Sequence, residues 1–363
     1  MQKTSIKKRV TLKDVANAVG VHVSTVSRAL DPRTRHLITP EVAEQILKAS
    51  ERLDYRQNAA AYSLKTNRTR TIGVVVPDIT NPVFPPIIRG VEDALASRGY
   101  VAILGNTDGD MRRETGLVET FRSRGVDGLI LASVEREDAA VSKLAAEGLP
   151  VITVNRRVDD STVASVVNDE AEGIRRVLTH LVSLGHRRVA NIAGPQSLST
   201  GAARYAGFEK YRGPMGLADD RGLVVFANAF NEAEGERCVE ELLASGAEFT
   251  AIVCSNDRLA VGAIAALSRH GRRCPEDVSV TGYNDMPMVE RMQPPLTTIR
   301  IQSNKVGFEA GQLLVQMIER PPGEYVAEHI VLPIELIVRG STRAIHAPNG
   351  QDGDTAKPRV RPL

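Results

Sequence analysis

Tryptophan is absent, and seven Tyr and seven Phe are the only aromatic residues among 363, so any ring stacking on a ligand must use Phe or Tyr. Cysteine is nearly absent. Cys238, Cys254 and Cys274 form an odd, sparse set without CxxC spacing, which fits a reducing compartment better than a disulfide framework. No run approaches the ~18 uninterrupted apolar residues of a membrane span. The start, Met-Gln-Lys-Thr-Ser-Ile-Lys-Lys-Arg, is basic but has no apolar core behind it, so it does not read as a secretory signal. The expected location is the cytoplasm, with no membrane partner. Catalytic signatures are missing as well. No GxGxxG or GxxxxGK motif follows the apolar runs, and there is no nucleophile elbow. His186 has no second His or Cys at metal-ligand spacing. These absences lead to the expectation of no enzyme activity, no cofactor and no metal.

Against this background the charge distribution stands out. The net charge is only +2, yet residues 1–70 hold 14 Lys/Arg against 6 Asp/Glu, and the remainder holds 32 against 38. A basic end on an acidic body fits a polyanion-binding module joined to something else. The basic charges sit within helical periodicity. Thr11 and Asp14 form a capping-box pair ahead of Val15 and Val19, and Gly20 supplies a left-handed stop. A second helix is expected from Val23 to Leu30, with Val26 and Leu30 one turn apart. A third starts at Thr39-Pro40-Glu41, with Thr39 as its cap and Val42, Ile46, Ala49 and Leu53 as its stripe. Two short helices joined by a tight Gly turn are the helix-turn-helix pattern.

Two segments make this specific. Thr11-Leu12-Lys13-Asp14-Val15-Ala16 and Ser24-Thr25-Val26-Ser27-Arg28-Ala29-Leu30 resemble the headpiece of the lactose-repressor (LacI/GalR) family of transcription regulators. The resemblance implies that Val23 and Ser24 read bases and that Arg28 reads guanine. The physics agrees, since an arginine fork matches guanine O6 and N7. Ser24, Thr25 and Ser27 can bond phosphates. His22 departs from the family, which usually has a capping Ser there. That puts the cap in question and makes His22 a candidate phosphate contact. Asn58 to Lys65 resembles the family's hinge helix. It is too short to stand alone, with Leu64 as a minor-groove wedge and Lys65 beside it. Tyr62 stands where many relatives have Arg.

From Thr71 onward, apolar runs alternate with amphipathic helices. Strands are expected at 72–76, 100–104, 128–131, 151–154 and 163–167, then at 188–193, 222–225, 251–254 and 278–281; helices are expected at 87–98 and 114–123. Two such series imply two doubly wound lobes with a ligand between them, at the carboxyl ends of the strands. The resemblance covers this part too, through Pro77-Asp78-Ile79-Thr80-Asn81-Pro82, Leu184-Gly185-His186-Arg187-Arg188, Arg204-Tyr205-Ala206-Gly207-Phe208, Ser255-Asn256-Asp257, Gly282-Tyr283-Asn284-Asp285 and Pro294-Pro295-Leu296-Thr297-Thr298. It implies a periplasmic-binding-protein-like α/β fold with chain crossings near 169, 300 and 330. Carried over by position, the effector site is Asp78, Phe84, Asn155, Thr200, Arg204, Phe230, Asn256 and Asn284. Many relatives carry Asp where Asn155 and Asn284 stand. Arg204, if buried, needs a partner; an acidic ligand and Asp78 are the two candidates. Asp257 and Asp285 read instead as caps of following helices.

The combined expectation is a three-helix headpiece over 1–56, a hinge helix and linker over 57–70, and an effector-binding and dimerisation body over 71–343. Lobe 1 of the body spans about 71–169 and 301–330, and lobe 2 about 170–300 and 331–343. The turn-rich, polar tail 344–363 reads as disordered and has no leucine heptad for tetramers. The function so read is a transcription repressor that binds operator DNA as a homodimer under control of a sugar or sugar acid. A transport-type sugar-binding protein would need a signal peptide and would not need residues 11–65. An α/β enzyme would need a catalytic constellation.

Overall fold

The computed structural model describes residues 10–31, 34–56, 68–320 and 326–345. Leu64, Lys65, Tyr62 and all of the tail beyond Ile345 lie outside the described residues. The chain divides into two compact units, residues 1–69 and 70–363.

The first unit contains α1 (Leu12–Val19), α2 (Val23–Leu30) and α3 (Pro40–Arg52), with a short 3-10 turn at Arg35–Leu37. The expected capping box is present: Thr11 Oγ1 accepts from Asp14 N at 3.4 Å, and Thr11 N donates to Asp14 Oδ2 at 2.8 Å. Gly20 ends α1 with φ +75°, a conformation that suits glycine. The cap in question at α2 exists, but a histidine makes it: Ser24 N donates to His22 Nδ1 at 3.2 Å. Thr39 makes no side-chain cap, contrary to expectation, and Pro40 in the first turn does the starting. Val15, Ala16, Val26, Ala29, Ala43, Ile46 and Ala49 close the small core.

The second unit starts with β1 (Thr71–Val76), α4 (Phe84–Ala96), β2 (Val101–Asn106), α5 (Met111–Ser123), β3 (Gly128–Leu131), α6 (Ala139–Ala146), β4 (Val151–Val154) and β5 (Ala164–Asn168). The chain then crosses to α7 (Glu170–Ser183), β6 (Val189–Ala193), α8 (Ser199–Arg212), β7 (Val224–Phe226), α9 (Glu232–Ala244), β8 (Ala251–Cys254), α10 (Asp257–Arg269) and β9 (Ser279–Thr281). β10 (Thr298–Arg300) leads back to α11 (Ser303–Glu319) and β11 (His329–Leu332), and β12 (Glu335–Ile337) follows.

Two parallel sheets result, with strand orders β11-β5-β4-β3-β1-β2 and β7-β6-β8-β9. β11 runs parallel to β5 as far as Leu332 paired with Asn168, so the third crossing follows Leu332. β10 and β12 pair antiparallel and tie two crossings together. The strand expected at 222–225 begins late. Asp220 Oδ1 accepts from Gly222 N at 2.9 Å and winds 221–223 into a 3-10 turn, so β7 starts at Val224.

In each sheet the central strands read as continuous apolar runs because helices cover both faces. Within each lobe, helices cross on glycine. A Cβ at Gly90 of α4 would run into the Asn304 carbonyl of α11, and one at Gly262 of α10 into the Glu232 carbonyl of α9. This close approach fixes the helices that carry Phe84 and Asp257 at their first turns, next to the strand ends.

Candidate functional site

On α2, Ser24 and Arg28 are exposed, while Val26 and Ala29 on the opposite face are buried. Val23, Thr25 and Ser27 are half-buried. The helix thus presents Ser24 and Arg28, one turn apart, beside the exposed His22 at its N-terminus. The His22 Nδ1 bond to the α2 backbone commits that nitrogen to capping.

In the second unit, loops at the carboxyl ends of both sheets meet around one cavity. Its lining is Asn81, Val83, Phe84, Asn155, Arg156, Thr200, Arg204, Phe230, Asn256 and Asn284. Seven of the eight expected effector residues are therefore brought together. The cavity measures about 20 Å³, room for about one water, so a ligand with a ring must part the lobes or move side chains. A larger groove of about 460 Å³ lies beside it, between Pro82–Pro86, Asn284–Pro287 and Arg300–Lys305.

Asp78 is the eighth residue, and it is not among those that line the cavity. Its Oδ1 accepts from Thr80 N and Thr80 Oγ1 at 2.9 and 2.6 Å. Its Oδ2 lies 3.5 Å from Arg258 Nη1 of α10, on the other lobe, and Glu232 holds the rest of that guanidinium at 2.7 and 2.8 Å. The chain reverses after β1 through an Asp-Ile-Thr turn, and that turn consumes the carboxylate.

Arg204 does need a partner, and Glu170 rather than Asp78 supplies it. Glu170, the first residue of α7, accepts from Arg204 Nε at 2.6 Å, with both side chains under 10% exposed, at 9% and 3%. Arg204 Nη1 donates to the Ser255 carbonyl at 2.6 Å, Nη2 approaches Asn284 Oδ1 at 3.5 Å, and the guanidinium carbon lies 3.8 Å over the Tyr283 ring. Burial alone would lower the Arg204 pKa, but Glu170 and the neighbouring Tyr283 outweigh it and the net direction is upward.

Arg156, which sequence reasoning missed, is the other guanidinium at the cavity. Its hydrogen bond is to the Ser133 carbonyl, at 3.2 Å. Burial pulls it down to about 10, against the opposing charges of Glu114 and Glu135. Behind it lie the buried Glu114 of α5 and Asp138, the N-cap of α6. Burial pushes the Glu114 carboxyl up to about 7, with the Ser133 hydroxyl opposing and Asp138 reinforcing the shift. Glu114 Oε2 and Asp138 Oδ2 are both buried without a hydrogen-bond partner.

Asn155 and Asn284 sit at φ +61° and +117°, where Asn is better tolerated than most residues. Arg156 N donates back to the Val154 carbonyl at 2.6 Å, a γ-turn around Asn155 that aims residues 155 and 156 at the cavity. Asn256 caps α10 through Oδ1, which accepts from Leu259 N at 2.8 Å. Capping therefore falls to Asn256 and not to Asp257. Burial raises Asp257 to about 7 even though Thr298 Oγ1 and Met286 N donate to it at 2.5 and 2.8 Å. Asp285 caps nothing either and binds Arg300 and Arg339, both at 2.7 Å. His186 is structural: its ring bonds Thr250 Oγ1 and the Arg343 carbonyl at 2.9 and 3.1 Å. Among the described residues, no three His, Cys, Asp or Glu side chains converge to hold a metal, and no helix is long and apolar enough to cross a membrane.

Comparison with known proteins follows the same two-part division. Residues 11–58 match the bacterial regulatory proteins of the lacI family, and residues 69–339 match the periplasmic binding proteins and sugar binding domain of that family. The PurR transcriptional repressor of Haemophilus influenzae is 32% identical over 338 residues, covering 92% of this chain and 99% of the relative. The ribose operon repressor of Bacillus subtilis is 31% identical over 333 residues, covering 92% and 98%. Among solved structures, the lac repressor dimer bound to operator and the anti-inducer ONPF superposes with TM-score 0.81 at 27% identity, covering 93% of this chain and 100% of that one. A LacI family regulator from Enterococcus faecium with bound ribose gives TM-score 0.66 at 33% identity, covering 76% and 100%.

Proposed function

The chain belongs to the LacI family of bacterial regulatory proteins, DNA-binding transcription regulators with a ligand-binding body, and from that premise we propose that a neutral sugar held between the two lobes controls its grip on operator DNA. One observation carries the ligand reading. Loops from both sheets surround a single cavity with amides, two guanidiniums, a threonine and two phenyl rings, and no carboxylate lines it. That set suits a polyhydroxylated ring: amides and guanidiniums meet hydroxyls, and Phe84 and Phe230 offer apolar faces. The ribose repressor and the ribose-bound relative point the same way. An acidic effector loses its original support, because Glu170 already holds Arg204.

On the DNA side, Val23, Ser24, Thr25, Ser27 and Arg28 form the reading surface, with Leu64 and Lys65 following from the hinge. One recognition helix per chain calls for a symmetric partner on a roughly palindromic site. The edge strands β2 and β7 leave Val101 at 66% and Phe226 at 43% exposure, apolar surface that pairing with a second copy would cover. The chain thus acts as a homodimer in the cytoplasm, and as a repressor. A sugar bound across the cleft shifts the dimer only as far as its affinities for the two lobe arrangements differ.

The test begins with an operator selected from random DNA. Arg28→Ala should weaken binding by about 1–3 kcal/mol and relax one guanine position. Undiminished affinity of that variant would remove the helix assignment. A panel of neutral pentoses and hexoses, added to the operator complex, should contain a member that changes the dissociation constant at least tenfold.

A further inference from the structure

We propose that Glu170 is a specificity-determining residue of the effector site: it cancels and orients Arg204 from behind, so that the pocket accepts a neutral ligand and rejects a small anion. The inference rests on the reading of the cavity as the effector site, and adds to it the residue that sets the charge a ligand meets.

Glu170 does not line the cavity. It stands one residue beyond the first crossing, where Asp169 N donates to the Leu332 carbonyl at 3.1 Å and Asp169 Oδ1 caps α7. Its carboxylate therefore sits at the positive end of the α7 dipole, which favours an anion there. The 2.6 Å bond to Arg204 Nε adds a counter-ion under the same cover. On Arg204, Nε belongs to Glu170, Nη1 to the Ser255 carbonyl, and the Tyr283 ring blocks one face. The Nη2 side, near Asn284, is what remains to face a ligand. A hydroxyl can accept from that edge at no charge cost. An anion would bring a second negative group up to a guanidinium already neutralised, and would lose its hydration for little attraction in return. Glu170 Oε1 and the Tyr283 hydroxyl are both buried without a hydrogen-bond partner. Tyr283 in turn packs where a Cβ at Gly173 of α7 would sit, which locks ring and helix in register.

Glu170→Gln keeps the shape and removes the charge. The probe is inorganic phosphate at constant ionic strength, titrated calorimetrically into the DNA-free full-length chain. The parent should show no saturable binding at low millimolar phosphate. Glu170→Gln should bind it at least tenfold tighter than the parent, Glu170→Asp should behave as the parent, and Glu170→Gln/Arg204→Gln should lose the gain. No gain in Glu170→Gln, or a gain that survives loss of Arg204, overturns the proposal. So does a parent that binds phosphate as tightly as the variant. Should Glu170→Gln fail to fold, its thermal denaturation is compared with that of the double variant. Recovery of a parent-like transition in the double variant supports the pairing, and equal failure of both overturns it. Operator binding by the parent is measured separately, so the regulator reading stands or falls on its own.

Discussion

The two sides of the cavity between the lobes each hold a guanidinium, Arg204 buried and Arg156 half-buried, and they solve the charge problem differently. On lobe 2, Arg204 meets a single carboxylate at 2.6 Å and a backbone carbonyl, and the pair is nearly sealed from water. On lobe 1, Arg156 bonds one carbonyl and lies near the carboxyls of Glu114 and Glu135, of which Glu114 is raised to about 7 by burial, with Asp138 reinforcing the shift. A buried ion can be tolerated by pairing it or by protonating its excess partner. The second solution titrates near neutrality, because Glu114 is raised to about 7. A pocket with both has one rigid wall and one wall whose charge follows the proton.

Breaking the rigid wall should cost most. Arg204→Met leaves Glu170 buried with no cation, a situation that costs about 3–5 kcal/mol. Urea denaturation should show that loss at pH 7, and Glu170→Gln placed on Arg204→Met should restore much of it. If Arg204→Met alone is nearly neutral, the sealed pair does not exist in solution.

The titrating wall gives the next effect, and its sign follows from linkage. Glu114 ionises near 4.5 in the unfolded chain and near 7 in the folded one. Between those values the folded state holds more protons, so stability falls as pH rises, by up to about 1.4 kcal/mol per unit, and levels off above pH 7. Glu114→Gln removes this slope. The variant should gain on the parent by about 3 kcal/mol between pH 4.5 and pH 8, read as the difference of two urea series. Asp257, also raised to about 7 by burial, is present in both chains and cancels. Parallel pH profiles for the two chains would mean that Glu114 ionises normally.

Much of this was legible in the residues, and what was not has a physical reason. Helices and strands came from period and caps, and the seven pocket residues came from the family resemblance, carried over position by position. Asp78 misled because an acidic residue after a strand can serve a ligand or its own turn, and Thr80 two residues on decided for the turn. Arg156 was passed over although it adjoins Asn155. Only the γ-turn, which no local motif announces, points both at the cavity. Glu170 was invisible for a different reason. A glutamate at a helix start normally means a solvated dipole partner, and its burial against Arg204 arises from contact between segments 34 residues apart. The caps show the same limit on a small scale: His22 takes a role usually filled by Ser, while Thr39, with a capping side chain, makes no cap bond.

The smallest expected effect sharpens the comparison most. Arg156 is partly exposed at the cavity, and one bond to the Ser133 carbonyl at 3.2 Å holds it. Arg156→Gln should therefore change stability at pH 5.5 by about 1–2 kcal/mol, as for a single charged hydrogen bond partly repaid by water. Its signature lies in the pH profile. Removing this cation takes away an attraction that favours ionised Glu114, so the Glu114 carboxyl should move further above 7 and the flattening of the stability curve should shift to higher pH. Sugar affinity should fall, since Arg156 lines the cavity. Operator affinity without sugar should stay at the parent value, because the substitution leaves α2 and its reading surface untouched. If Arg156→Gln instead destabilises the chain as severely as Arg204→Met and leaves the pH profile where it was, then the two walls are alike, and the lobe 1 carboxyls hold Arg156 as a plain ion pair.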